Sequence, residues 1–147
     1  MTDITNSVRL RRATPDDVAH LNTLIQTCHT SQTDWSKVLN ELIGADGSYV
    51  FCFDDPATAL PLACVGVAFC EKTAHVFPYV VTPTLQGKGI GRTMMTAIRT
   101  FATRHAKSRG IDHLSLSLPS KRCPSDFVPF DPAKTDQHGF YLFKSPL

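Results

Sequence analysis

The chain has 147 residues, of which 42% are hydrophobic and 19% charged. That length suits a single domain over 1–147 with an ordinary core, and the composition excludes a disordered, collagen-like or coiled-coil chain. Fifteen basic residues against thirteen acidic ones leave a net charge of +2, too small a balance to imply a nucleic acid or a membrane surface as partner. No apolar run approaches the ~20 residues of a membrane span. The opening Met1-Thr2-Asp3-Ile4-Thr5-Asn6-Ser7 lacks the apolar core of a secretory signal. Cys28, Cys52, Cys64, Cys70 and Cys123 are odd in number and none is spaced Cys-x-x-Cys. We therefore expect no disulfide framework, no metal site, and reduced thiols in a cytoplasmic protein, those at 52, 64 and 70 acting as small hydrophobes inside strands.

In chain order, Val8-Arg9-Leu10-Arg11 alternates apolar and charged residues and predicts a first strand. Thr14-Pro15-Asp16-Asp17 reads as a helix start, and Val18, Leu21, Leu24 and Ile25 carry that helix to about Cys28. Asp34 is the expected cap of a second helix with Trp35, Val38, Leu39 and Leu42 on one face, ending at Gly44. Three strands follow, Ser48–Phe53, Leu62–Cys70 and Ala74–Val81, the last two joined by a hairpin at Glu71-Lys72-Thr73. Pro78 cannot donate to a ladder, so it predicts a bulge or an unpaired edge. A glycine-rich turn over 86–91 leads into a helix with Ile90, Met94, Ala97, Ile98, Phe101 and Ala102 on one face, stopped by Gly110. His113–Leu118 alternates strictly, with Leu114, Leu116 and Leu118 on one face. Beyond it the chain is proline-rich, with two short strand-like runs, Phe127–Phe130 and Phe140–Phe143, and an exposed final strand would offer an edge to a second copy, a homodimer. The order predicts an α/β (α+β) fold with a mixed, mostly antiparallel sheet containing one parallel pair.

The segment that points to chemistry is Val80-Val81-Thr82-Pro83-Thr84-Leu85-Gln86-Gly87-Lys88-Gly89-Ile90-Gly91-Arg92, a strand, a turn with three glycines and a helix start. Glycines let peptide N–H groups crowd an anion without Cβ clashes. The first N–H groups of a helix lack intrahelical partners and carry partial positive charge, so a phosphate suits that place, with Lys88 and Arg92 adding charge. The segment fails the Walker pattern, because Thr82 stands where its first glycine belongs and Gly89 follows Lys88. It also fails the dinucleotide pattern, with Arg92 at the last glycine position.

Gln86-x-x-Gly89-x-Gly91 resembles the pyrophosphate-binding motif of the GNAT family of N-acetyltransferases, Gln/Arg-x-x-Gly-x-Gly/Ala. The opening Val-Arg-Leu-Arg-Arg-Ala-Thr-Pro-Asp-Asp is similar to that family's first strand and helix start, and the likeness covers about residues 8–118. The resemblance implies a sheet splayed between its fourth and fifth strands, Ala74–Val81 and His113–Leu118, with helices on both faces. It implies acetyl-CoA as cosubstrate, held by the backbone of Val80 and Val81 and by Gln86, Gly87, Lys88, Gly89, Ile90, Gly91 and Arg92. The implied reaction is direct acetyl transfer to a primary amine of a small molecule or a protein. His75, eleven residues before Gln86, stands at the offset where the histone-acetyltransferase branch carries a catalytic Glu, which makes it the candidate base. Glu71 and His113 are further candidates. The family's general acid is a Tyr on a helix after the fifth strand, but Pro119, Pro124, Pro129 and Pro132 interrupt that window, leaving Tyr79 and Tyr141 as candidate acids. The alternative is a non-catalytic acyl-CoA-binding regulatory module of the same fold. Trp35 and Phe127 are candidate linings for an acceptor pocket.

Overall fold

A computed structural model describes residues 9–30, 32–118, 127–129 and 140–147. A short strand β1 (Arg11–Arg12) precedes helices α1 (Val18–His29) and α2 (Ser36–Gly44). Strands β2 (Ser48–Asp54), β3 (Pro61–Cys70) and β4 (Thr73–Val81) follow, then α3 (Ile90–Arg109), β5 (His113–Leu118), β6 (Val128–Pro129) and β7 (Tyr141–Pro146). The strands form one sheet in the order β1-β2-β3-β4-β5-β7-β6. All of these pairings are antiparallel except β4 with β5, which α3 connects in parallel, as a crossover must.

Helices cover both faces because strand residues alternate between two cores. Leu21, Ile25, Trp35 and Leu39 of the α1–α2 layer pack on Val50, Cys52, Cys64 and Val80. Ile90, Met94 and Ile98 of α3 pack on Val65, Val76, Leu114 and Leu116 from the other side. Gly110 ends α3 at φ 68°, a conformation glycine adopts without strain.

Two features of the sheet shape the site. First, β4 and β5 pair only from Thr73↔His113 to Val76↔Leu116. Above that point β4 runs on to Val81 while β5 continues against β7, with Ser117↔Leu142 and Leu118↔Tyr141. Second, the β3–β4 register shifts between Val65↔Tyr79 and Val67↔Val76, so that Gly66 opposes both Phe77 and Pro78. Of the two outcomes open at Pro78, the chain adopts the bulge. The extra residue reverses the alternation. Ala74 and Val76 face the α3 core before it, and Tyr79 and Val81 pack on that same core after it, while Val80 turns to the α1–α2 core.

Several boundaries differ from expectation. β1 is shorter than expected and pairs only as Arg11↔Cys52 and Arg12↔Phe51. Asp34 sits one residue outside the cap of α2, its carboxylate accepting the Ser36 N–H at 3.0 Å. Cys52 and Cys64 are buried and free, but Cys70 is exposed at the end of β3 and so is no core hydrophobe. The final strand is not an open edge: β7 lies between β5 and β6, with Phe143 opposite both Leu116 and Pro129, so the proposed edge for a second copy is already used there. The window in which no tyrosine-bearing helix is expected, Cys123 and most of the proline-rich tail fall outside the described residues. No helix among those described is long and apolar enough to cross a membrane.

The first helix is anchored by Arg11. Its Nη1 and Nη2 donate to the two Asp17 oxygens at 2.9 and 2.8 Å, and its Nε donates to Asp54 at 2.5 Å. Asp17 also accepts the Thr14 N–H at 2.7 Å. Mainly because Arg11 donates to it, the Asp17 carboxyl is held down at about 2. His29, edge-on to Phe140 at 5.1 Å, is pushed down to about 4 by burial. Each group binds fewer protons folded than unfolded, so each loses stability on acidification. The His29 contribution is lost from about pH 6.5 down to 4, and that of Asp17 from about 3.8 down to 2. In urea titrations, His29→Gln should flatten the upper window and Asp17→Asn the lower. Because the Arg11 side chain is 40% exposed, screening should limit the Asp17 step to about 1 kcal/mol. A stability curve flat between pH 6.5 and 4 in the parent protein would contradict the His29 assignment.

Candidate active site

The strand, the glycine turn and the head of α3 lie at one end of the parted sheet. Thr82 N–H donates to Leu62 O at 2.7 Å, which sets the phase of the antiparallel ladder there. Residues 82 and 80 turn their peptide groups to β3, so Tyr79 and Val81 turn theirs to the side that β5 has left. Of the two residues expected to present free backbone, Val81 therefore faces the gap and Val80 faces Cys64 instead. Sequence reasoning singled out Tyr79 only for its hydroxyl. Its peptide groups become relevant only once the bulge is known. The Val81 carbonyl accepts the Cys28 thiol at 3.2 Å and the Gln86 side-chain N–H at 3.0 Å, so Gln86 braces the turn from within.

After Val81 the chain makes a short 3-10 turn (Pro83–Leu85) and then bends through Gly87 at φ 79° and Gly89 at φ 87°. The Gly89 carbonyl accepts both the N–H and the hydroxyl of Thr93, at 3.0 and 2.9 Å, which starts α3. The N–H groups of Ile90, Gly91 and Arg92 precede any intrahelical acceptor, a helix end with the donors and partial positive charge that suit an anion. Lys88 and Arg92 are exposed beside it.

Tyr79 links this turn to the strand. Its hydroxyl donates to the Gly91 carbonyl at 2.6 Å, and burial pushes the phenol up to about 12, so it stays protonated. A Cβ on Gly91 would stand 3.1 Å from that oxygen. Gly91→Ala should therefore be neutral or destabilising alone, since the clash opposes a helix-propensity gain of about 1 kcal/mol. In a Tyr79→Phe background the same change should stabilise. A double-mutant cycle by thermal unfolding should show coupling of at least about 1 kcal/mol, and additive effects would refute the contact.

The three candidate catalytic side chains are not gathered at one point. His75 alternates with Ala74 and Val76 and so lies on the face opposite α3, with a part-buried ring whose Nδ1 is 2.5 Å from Ser115 Oγ. Tyr79 and Tyr141 pack against the α3-side core. Burial lowers the His75 pKa from its ordinary value, which keeps the ring neutral at pH 7. Of the other candidates, His113 Nδ1 lies 2.6 Å from an Asp112 oxygen, and Glu71 occupies the hairpin turn at φ 55°. Trp35 and Phe127 are both buried but in different cores, Trp35 with Phe77 and Phe140 and Phe127 under the Arg99 guanidinium, so they do not line one pocket. What sequence reasoning missed is the cluster of His29, Trp35, Phe77 and Phe140 on the α1–α2 side of the parted strand. Phe77 and Phe140 are far in the chain from His29 and Trp35, and no spacing signals the group.

The family model described as acetyltransferase (GNAT) family matches residues 16–123. This chain belongs to the GNAT family of N-acetyltransferases. Solved GNAT structures share its fold. A GNAT-family acetyltransferase from Staphylococcus aureus Mu50 superposes with a TM-score of 0.72 at 9% identity, over 96% of this chain and 99% of that one. A chimera of the spermidine N-acetyltransferase from Vibrio cholerae gives 0.67 at 14% identity, over 95% and 96%. The N-acetylglutamate synthase of Neisseria gonorrhoeae, complexed with coenzyme A and N-acetyl-glutamate, gives 0.68 at 14% identity over 95% of this chain. The chain spans about a third of that synthase, 35% of its length. No curated protein sequence matches significantly. The parted β4–β5 pair and the turn at 86–91 are thus elements of a GNAT fold.

Proposed function

We propose that this GNAT protein transfers the acetyl group of acetyl-CoA to a primary amine. The observation that carries the reading is that the strand whose peptide groups lose their β5 partner is also the strand that leads into the glycine turn and the head of α3. An extended molecule with amides at one end and a diphosphate at the other matches that sequence of donors. Tyr79 with its peptide groups, and Val81 with its N–H, face the pantetheine amides. The N–H groups from Gly87 to Arg92, with Lys88 and Arg92, receive the pyrophosphate. Gln86 holds the turn.

His75 is the proposed base. Its neutral ring takes a proton from the acceptor ammonium, and the freed amine attacks the thioester carbonyl. The N–C bond forms and the C–S bond breaks. The second amine proton leaves through water, which also protonates the departing thiolate. Relatives named for glutamate and spermidine products or substrates favour a small-molecule amine acceptor, with a protein amine as the other member of the class. A cytoplasmic location is proposed from the reduced, buried Cys52 and Cys64.

The second reading, an acyl-CoA-binding module without turnover, is favoured by one observation: His75 lies on the opposite face of the sheet from Tyr79 and Tyr141. Thiol release from acetyl-CoA, measured across a panel of polyamines, amino acids and lysine peptides, separates the two. Amine-dependent release supports transfer. Calorimetric binding with no release above the background rate supports the module.

A further inference from the structure

One register step before the β4–β5 ladder ends, the two strands bring a hydroxyl against the candidate base. His75 stands opposite Ser115, and the next pair, Val76↔Leu116, is the last. His75 Nδ1 and Ser115 Oγ are 2.5 Å apart, and the His75 ring makes no other hydrogen bond among the described residues. Ser115 is 2% exposed, on a strand whose neighbouring side chains Leu114 and Leu116 are fully buried. A hydroxyl in such a place is costly unless it is hydrogen-bonded, and His75 satisfies it. The benefit is reciprocal. An imidazole tied at Nδ1 cannot rotate freely, and when Nδ1–H is the donor, Nε2 is left with its lone pair.

We infer that Ser115 is the positioning residue for His75, accepting Nδ1–H so that Nε2 is the basic nitrogen at the fork of the sheet. The inference rests on the proposed role of His75 as base. When Nε2 takes the proton from the ammonium, an N–H bond of the acceptor breaks and an Nε2–H bond forms, and the Nδ1–H···Oγ bond becomes charge-assisted and stronger. The groups around the pair fit a neutral resting ring. On β3 the residue opposite His75 is Ala68, on β7 the residue opposite Ser115 is Lys144, and on β5 the nearest titratable group is His113, already paired with Asp112. None of these flanking positions supplies a carboxylate free to hold His75 as a cation.

The test uses the whole chain and two readouts. In the free protein, nitrogen-15 chemical shifts of the His75 ring report its tautomer. The parent should be mainly Nδ1–H, and Ser115→Ala should shift the population toward the Nε2–H form that free imidazole prefers. In steady-state kinetics Ser115→Ala should lower kcat about tenfold, as loss of an orienting partner does, with KM for acetyl-CoA unchanged. Ser115→Thr should restore both readouts. Ser115→Cys, which keeps the volume and weakens the acceptor, serves if the alanine variant unfolds. A parent ring found as Nε2–H, or unchanged tautomers and kcat in Ser115→Ala while His75→Ala abolishes turnover, overturns the role of Ser115. If His75→Ala leaves the pH–rate profile unchanged, the base assignment itself fails, and the tautomer shift still reports separately on whether the pair exists.

Discussion

Gly89→Val is expected to weaken acetyl-CoA binding at least 100-fold in calorimetry while leaving the far-ultraviolet circular dichroism of the fold intact. Gly89 sits at φ 87°, where an L side chain costs about 1–2 kcal/mol of backbone strain. To relieve that strain the turn must move, and the N–H groups of Ile90, Gly91 and Arg92 move with it. Each hydrogen bond from a peptide N–H to a charged phosphate is worth about 1.5–3 kcal/mol, so losing two is roughly a 100-fold effect or more. A branched side chain also occupies the space the anion would use. Gly44→Ala is the control, because its added methyl meets nothing within 4 Å and its backbone is not left-handed. It should leave binding unchanged and, at the last residue of α2, at most raise stability by up to about 1 kcal/mol. Parent-like affinity in Gly89→Val would mean that the diphosphate does not lie on this turn.

Gly66→Ala should be strongly destabilising. A Cβ there would lie 2.3 Å from the Phe77 carbonyl oxygen and 3.0 Å from the Phe77 carbonyl carbon and Pro78 Cδ. The main obstacle is backbone, not a flexible side-chain end, so β3 and β4 must separate at the bulge. Overpacking of that kind costs about 2–4 kcal/mol, which for a chain of this length lowers the melting temperature by about 5–15 °C. The damage should also reach function. The bulge sets which peptide groups of β4 face the gap, so straightening it turns Tyr79 and Val81 the wrong way. We expect KM for acetyl-CoA to rise in Gly66→Ala even at temperatures where the variant is folded. An unchanged melting temperature with unchanged KM would show that the close approach of Gly66 and Phe77 does not constrain the strand.

Both predictions concern glycines, yet they were legible to different degrees. The importance of Gly89 could be read from Gln86-x-x-Gly89-x-Gly91, because an anion site built from consecutive peptide groups is local in the chain. Gly66 lies in an unbroken apolar run, Pro61–Cys70, and nothing in that run marks it. Its constraint comes from Phe77, eleven residues away and on another strand. Pro78 supplied half of the clue, since proline in a strand requires a bulge or an edge. Which of the two occurs is decided by β3 pairing across it.

The same division runs through the molecule. Periodicity and turn chemistry alone placed α3 and β2 to β5 to within a residue or two, because those signals live inside each element, while α1 starts three residues after Pro15 because Pro15–Asp17 form a 3-10 turn. The motif spacing identified the family, which the match over residues 16–123 shows. Only the tertiary structure decided that Val81 and not Val80 turns its peptide groups to the gap, that Tyr79 is tied to Gly91, and that β7 is an inner strand. It alone decided that His75 meets a buried Ser115. These facts depend on ladder phase and register between distant segments, and a one-residue shift would reverse each of them without altering the local pattern of any strand.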